Sequence, residues 1–296
     1  MARTELPCFF LGEPGTTFSH HAFLECIERY GIPVGQTYSV TKNQEILPAV
    51  LAHGGYAILA SRTMHHGKIE DTFTSYLQLL DLYDQETCPI QIIGSISLPV
   101  HFCLMSRSHM QLSNIKGVVG HKMALKACEK HISSMGIPIE EIGNNGLAVK
   151  KVADDEQYSE CAALAPASAA HSHHLHILSE NFEDTPTKTT FHLIGPRSRV
   201  VCTGSMNRSI LLFSLKNEPG ALLKALLPIY QGDLNIRTIH SVDTGDNVSR
   251  FALKIDVPYC KLADYRFTLE RFRPITEKFI HFGPYELYDV DTKRAP

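Results

Sequence analysis

"RSILLFSLKNEPGALLKALLPIYQGDLNIRTIHSV", residues 208–242, holds three elements in succession. "SILLFSL" (209–215) is an apolar run of strand length. "NEPGALLKALLPIY" (217–230) has helical period; Asn217 is expected to open it, with Pro219 in the first turn, where a missing N–H costs nothing. "LNIRTIHSV" (234–242) alternates as a strand. Further along, "VSRFALKIDV" (248–257) is a strand joined through a "DTGDN" turn, "KLADYRFTLERFR" (261–273) is a helix, and a last strand lies near "KFIHFGPYELY" (278–288). The order β-α-β-β-α-β is the ferredoxin-like arrangement, which permits many functions.

Toward the N-terminus, Arg197 to Asn207 is polar, basic and without period, and reads as a linker. Before it, apolar runs alternate with helix-period stretches, as in sheets covered by helices on both faces. "CFFLG" (8–12), "YAILA" (56–60), "ISLPVHFCLM" (96–105), "IKGVVG" (115–120), "CAALA" (161–165) and "TTFHLIG" (189–195) are the strands. Helices are expected over 18–31, with Ser19 as N-cap, and over 69–83, 121–132 and 166–173. A block beginning near residue 100 has its own strand–helix units, so two α/β lobes are expected.

The chain of 296 residues is long enough for two domains. Apolar residues make up 44% and charged residues 20%, with a formal charge of -3, so neither disorder nor a nucleic-acid or membrane-surface partner is indicated. No apolar run has the length of a spanning helix and the start does not read as a signal peptide, which leads to the expectation of a cytoplasmic protein. Eight scattered cysteines without a C-x-x-C pair read as reduced thiols. "HSHHLHIL" (171–178) lacks further ligands at metal spacing and reads as a solvated helix end.

Residues 208–242 resemble the ACT domain attached to prephenate dehydratases, whose pattern runs "SLLFSLKNEPGALYKAL…INLTKIESRP". The front agrees. "FLGEPGTTFSH" resembles "LGPEGTFSH", "GHKMALKACEKHI" resembles "SHPQALAQCxxyL", and "TKTTFHLIG" takes the place of "NxTRFxVI". The resemblance covers nearly the whole chain. It implies a two-lobed, periplasmic-binding-protein-like α/β catalytic domain over 1–196, with one lobe about 1–100 plus 178–196 and the other about 101–177. A linker at 197–207 and an α+β ACT domain over 208–296 follow.

The departures fall in the motifs that line the family's cleft. Where the family has "PIENSxEGSV", this sequence has "ASRTMHHGK", putting Arg62, Thr63 and Met64 in place of Glu, Asn and Ser, followed by His65 and His66. The family's "TRF" supplies a catalytic Thr and a carboxylate-binding Arg; here it reads Thr189, Thr190 and Phe191. Asn144 and Asn145 replace a Ser-Thr pair. In the implied amino-acid site of the ACT domain, Asn217, Gly220, Ala221 and Leu222 are kept, and "ESRP" becomes His240, Ser241, Val242, Asp243.

By resemblance the substrate is prephenate, a dicarboxylate with a C4 hydroxyl. Such a molecule needs cations or N–H donors at both acidic ends. Thr16, Thr17 and Ser19, at a strand-to-helix junction, offer backbone N–H groups, and Arg62 could replace, from the opposite wall, the cation lost at 190. Without the family's acid at the C4 oxygen, carbon dioxide can leave while the hydroxyl stays, as in the related non-aromatising prephenate decarboxylases. A ring carbon must then receive a proton, for which a histidine is suited. His65 or His66 is the candidate; adjacent residues of an extended loop point to opposite sides, so one of them faces solvent. A divergent dehydratase with Thr189 as acid and a non-catalytic small-molecule sensor are the alternatives. No cofactor or metal is implied; an amino-acid effector and a homodimer or homotetramer are.

Overall fold

The computed structural model describes residues 5–64, 67–199, 206–243, 245 and 247–290. In chain order the elements are β1 (Leu6–Leu11), α1 (Phe18–Tyr30), β2 (Val34–Val40), α2 (Ile46–His53), β3 (Tyr56–Thr63), β4 (Gly67–Lys68), α3 (Glu70–Leu82), β5 (Ile90–Val100), β6 (Cys103–Ser106) and β7 (Gly117–Gly120). Next come α4 (Lys122–Ala127), α5 (Glu129–Met135), β8 (Ile139–Glu141), α6 (Asn145–Asp154), β9 (Cys161–Ala165), α7 (Ala167–His173), β10 (His176–Ser179) and β11 (Thr187–Pro196). The last six are β12 (Met206–Lys216), α8 (Ala221–Gln231), β13 (Ile236–Asp243), β14 (Val248–Asp256), α9 (Leu262–Phe272) and β15 (Lys278–Asp289). Among the described residues no helix is long and apolar enough to cross a membrane.

The chain condenses into two compact units, each discontinuous in sequence. The first comprises 1–67, 96–191 and 289–296, and the second 68–95 and 192–288. The segment with α3, expected in the first lobe, therefore belongs to the second unit.

In the first unit, β1 pairs in parallel with β2 and β3, with Cys8 opposite Thr37 and Tyr56. This is a buried parallel core, and Cys8, Phe9, Phe10 and Tyr56 to Leu59 are nearly inaccessible. The same unit holds a separate five-stranded sheet in the order β10-β6-β9-β7-β8. Alternation along its strands feeds two cores: Leu104, Val118, Ala162 and Leu164 pack with Leu125 and Ile132, while Met105, Val119, Ala163 and Ala165 pack with Val149 and Val152. The helix expected over 121–132 is two short ones, interrupted at Cys128, whose backbone leaves the helical region.

The second unit has the expected β-α-β-β-α-β order in its C-terminal part, with strands arranged β13-β14-β12-β15. Leu211, Phe213, Leu253, Ile255 and Phe279 on one face pack with Ala225, Ile229, Tyr265 and Phe272 of α8 and α9. The helix expected from Asn217 begins four residues later. Gly220 has φ +80, which ends any helical path through 217–219, so Pro219 lies in the preceding turn. Part of the expected linker, 200–205, lies outside the described residues.

Candidate functional site

The loop from β1 to α1 turns on Gly12 and Gly15, both with positive φ. Thr17, not Ser19, is the N-cap of α1; its Oγ1 accepts the His20 N–H at 3.4 Å and donates to the Leu11 carbonyl at 2.8 Å. Thr16 Oγ1 donates to the Glu13 carbonyl at 2.8 Å. From the other sheet, Asn144 caps α6 by accepting the Leu147 N–H at 2.9 Å, and its Nδ2 reaches the Thr41 carbonyl at 3.4 Å. Asn145 Oδ1 accepts the His121 N–H at 3.3 Å. A Cβ on Gly146 would lie 2.5 Å from Thr16 Oγ1, and one on Gly12 would collide with Thr17. The structure thus brings Thr16, Thr17 and Asn144 together, with α1 and α6 both starting there, and helix N-termini favour anions by ~0.3–1 kcal/mol. Thr16, Thr17, Ser19 and Asn144 are all buried.

Two histidines and a serine join this junction without having been singled out in the sequence. Gly15 N–H donates to His20 Nδ1 at 3.0 Å, and the His20 ring packs on Phe10 and Phe23. Ser168 Oγ donates to the Gly15 carbonyl at 2.6 Å and lies 2.9 Å from His21 Nε2. The serine proton is committed to the carbonyl, so His21 Nε2 carries its own proton and donates it to Ser168. Burial lowers the pKa of both histidines, and the adjacent His21 adds to the effect on His20. The doublet His20-His21 at the head of a helix was the available signal; its link to Ser168, far away in sequence, was not readable.

The other candidate residues lie where β3 and β11 run side by side. Met64 N–H donates to the Lys188 carbonyl at 2.8 Å, and Ser61 Oγ to the Thr190 carbonyl at 3.1 Å. Numbers fall along one strand as they rise along the other, so the pair is antiparallel, and the first bond makes Met64 and Lys188 direct partners. Thr63 then stands opposite Thr189, and Arg62 opposite Thr190. Arg62 and position 190 are therefore cross-strand neighbours on one face, not residues of facing walls. The Thr63–Thr189 face is the inner one, shared with buried Ser61 and Phe191. Thr63 Oγ1 is buried without a hydrogen-bond partner among the described residues, whereas the Arg62 side chain is exposed. His65 and His66 lie outside the described residues.

Of the four histidines of 171–176, His171 and His173 lie in α7, His174 is its C-cap and His176 opens β10. His173 lies 3.9 Å from Glu13, and the His176 ring meets His109 edge-on. Among the described residues no three His, Cys, Asp or Glu side chains gather as metal ligands.

In the second unit, Asn217 and Gly220 are exposed, Gly220 has open space where a Cβ would be, and Ala221 and Leu222 pack on the helix-side core. Ser241 pairs with Phe251 and shares that face; His240 pairs with Ala252 and faces the other way. There its buried ring meets Phe73 at 5.9 Å, and Nε2 lies 3.6 Å from the Glu70 carboxylate. The six expected effector-site residues are thus split between the two faces of the sheet.

A family model described as prephenate dehydratase matches residues 8–199. A bifunctional chorismate mutase/prephenate dehydratase from Aquifex aeolicus is 30% identical over 236 residues, covering 78% of this chain and 60% of the relative, so the chain spans well under two thirds of that protein. Among solved structures, the prephenate dehydratase of Arthrobacter aurescens in complex with L-Phe superposes with a TM-score of 0.75 at 22% identity, covering 98% of this chain and 92% of that one. GqqA, described as a novel type of quorum quenching acylase, gives 0.74 at 22% identity, covering 97% of this chain and 100% of that one. At these identities the two structures attest the fold.

Proposed function

The chain belongs to the prephenate dehydratase family, and from that premise we propose that it is a carbon lyase that decarboxylates prephenate without aromatising the ring. The observation that carries the reading is the cross-strand placement of Arg62 beside Thr190. A guanidinium on β3 at that register covers the same patch of sheet as an arginine at 190 would, so the carboxylate contact is retained with the cation moved one strand across. The N–H groups at the starts of α1 and α6 supply donors for the second acidic end.

In the proposed reaction the bond from the quaternary ring carbon to its carboxylate breaks, carbon dioxide leaves, and the electron pair enters the ring diene. An imidazolium of His65 or His66 donates its proton to a terminal ring carbon, forming the new C–H bond. The C4 hydroxyl stays because no acid serves its oxygen, and the product is a dihydro-4-hydroxyphenylpyruvate suited to specialised metabolism. Arg62 orients the substrate; Thr63 and Phe191 line the inner face.

A second reading, dehydration to phenylpyruvate, is favoured by one observation: Thr189 keeps its hydroxyl on the inner face, opposite a second hydroxyl at Thr63. Proton NMR of the purified protein with prephenate decides between them. Ring sp³ C–H signals together with a retained carbinol proton support decarboxylation, phenylpyruvate overturns it in favour of dehydration, and unchanged prephenate would leave a ligand sensor.

Residues 208–296 are proposed as an ACT regulatory domain that binds an amino acid and pairs with a second copy. The β-α-β-β-α-β order and the L-Phe bound to the Arthrobacter aurescens relative support the first part. The edge position of β13 and the exposed Leu223, Leu227 and Tyr230 on one side of α8 support the second. Thermal stabilisation by phenylalanine and the mass of the protein in solution test them separately.

A further inference from the structure

Gly15 is held at both of its backbone polar groups. Its N–H donates to His20 Nδ1 at 3.0 Å, and its carbonyl accepts the Ser168 hydroxyl at 2.6 Å. His20 belongs to α1, which packs on β1 and β3, and Ser168 to α7, which packs on β10 of the five-stranded sheet; all of these residues lie in the first unit. Ser168 is backed in turn by His21 Nε2 at 2.9 Å. The φ of +78 at Gly15, and Ser172 Oγ only 2.8 Å from where a Cβ would stand, reserve the position for glycine.

These two bonds carry the middle of the loop. Gly12 N–H is tied to the Val40 carbonyl and Thr17 Oγ1 to the Leu11 carbonyl, but between them the Thr16 N–H and hydroxyl both go to Glu13, inside the loop itself. Among the described residues, the hydrogen bonds that join backbone 13–16 to the rest of the protein are therefore the two of Gly15. Directly after the loop come the first N–H groups of α1, at Phe18 and Ser19, which have no intrahelical acceptor. The path of the loop sets what can reach them.

The bond to His20 also imposes a charge state. Nδ1 accepts, so the ring is the neutral tautomer with its proton on Nε2. A proton added at Nδ1 would confront the Gly15 N–H with a second donor, and the pair would separate. Burial lowers the pKa of His20 below 6.5 and the neighbouring His21 adds to the effect, so the bond is intact at neutral pH and is lost only in acid. The other titratable groups on the elements around α1 are Cys8 of β1, Tyr56 and Arg62 of β3, Glu13 of the loop, and His171 and His173 of α7. Glu13 lies between two cationic partners, 3.8 Å from Lys150 of α6 and 3.9 Å from His173.

We propose that the Gly15 peptide is a pH-sensitive catch: His20 and Ser168, with His21 behind the serine, are positioning residues that hold the loop before α1 while His20 is neutral and release it when that ring takes up a proton. The proposal rests on the proposed reading only in taking the N–H groups after the loop as the seat of a substrate's acidic end.

Hydrogen exchange of the unliganded full chain reads the catch without any substrate. Ser168→Ala and His20→Leu each remove one of the two bonds. His20→Asn keeps an acceptor near the place of Nδ1 but takes up no proton. At about pH 7.5, protection over 12–19 should fall ~10-fold in Ser168→Ala and His20→Leu and return toward the wild-type value in His20→Asn, with 248–256 unchanged in all three. On lowering to about pH 5, protection corrected for the intrinsic rate should fall in the wild type and hold in His20→Asn. With prephenate, kcat/KM of the wild type should drop by up to ~10-fold per pH unit on the acid side of the His20 titration, and this limb should vanish in His20→Asn. The proposed reaction needs an imidazolium and declines toward alkaline pH, so the two limbs have opposite signs. Unaltered protection over 12–19 in both Ser168→Ala and His20→Leu overturns the catch, as does an acid-induced loss that persists in His20→Asn. Absence of turnover in the wild type would sink the prephenate reading and leave the exchange result to decide the catch.

Discussion

The loop Gly12–Ser19, after the carboxyl end of β1, and the strand pair β3–β11 both carry hydroxyls, yet Thr16 and Thr17 use theirs differently from Thr63. Thr16 and Thr17 spend theirs on the Glu13 and Leu11 carbonyls, and Asn144 spends its amide on Leu147 and Thr41. Thr63, by contrast, keeps a buried hydroxyl without a described partner, and Arg62 is exposed beside it. Groups already engaged with backbone fix geometry, because using them for a ligand would leave a buried carbonyl or N–H unpaired at a cost of ~1–3 kcal/mol. Groups not so engaged are available for chemistry. In the proposed reading the loop builds the floor of the site through its backbone, and the strand pair and the segment after it supply the reacting side chains.

The sharpest way to break this division is at the histidines. Replacing the acting one of His65 and His66 by Ala should lower prephenate turnover by ~10²–10⁴ with the melting temperature nearly unchanged. If both single variants turn over at the wild-type rate, the proton comes from elsewhere and the division fails.

Acid should expose the converse, with engaged histidines governing stability. Burial, aided by Arg197, lowers the pKa of His281 from 6.5 to about 4. Burial, with Lys254, also holds His192 well below the ordinary histidine value. Folded-state pKa values below the unfolded value mean that the unfolded chain binds more protons, so stability is full above about pH 6.5 and falls as pH drops toward about 4. For His281 the loss is on the order of 3 kcal/mol across that window. Urea unfolding at pH 7, 6 and 5 should show the decline, and His281→Asn should flatten it.

Arg62 gives a smaller but more specific test. Arg62→Ala should cost ~10–10²-fold in kcat/KM, the range for a lost charge-assisted contact. Because residues 62 and 190 are cross-strand neighbours, adding Thr190→Arg to that variant should recover much of the loss. Recovery of decarboxylation supports a cation moved across the sheet. A switch of product to phenylpyruvate would show instead that the placement of the cation selects between the two reactions. Failure of Thr190→Arg to restore anything would mean that the two positions do not serve one carboxylate.

Local signals made much of this legible. The apolar run at 209–215, the alternation of 234–242 and 248–257 and the helical stretches 217–230 and 261–273 were enough for the β-α-β-β-α-β order, since each is a short-range pattern. Family motifs drew attention to Arg62, Thr189 and Asn144. What stayed hidden depends on long-range pairing or on one backbone angle. The Arg62–Thr190 neighbourhood follows from a strand register set across more than a hundred residues. Ser168 meets His21 only after two sheets have formed. Helix α3 has an amphipathic pattern equally suited to either unit, and Tyr76–His192 and Asp81–Arg250 decide where it goes. The late start of α8 rests on the positive φ of Gly220, which the run "NEPGALL" does not announce.

The smallest effect concerns the engaged side of the comparison. Asn144→Ala removes the α6 cap and the bond to Thr41, and should lower stability by about 1 kcal/mol, a cost typical of a lost N-cap. Asn144→Ser restores a capping oxygen but cannot reach Thr41 with an amide. If Asn144 is purely a scaffold residue, Asn144→Ser should recover stability and turnover together. If its amide touches substrate, stability returns while kcat/KM stays low. The same variant therefore tells whether the loop side of the site ends at its backbone or extends to this one side chain.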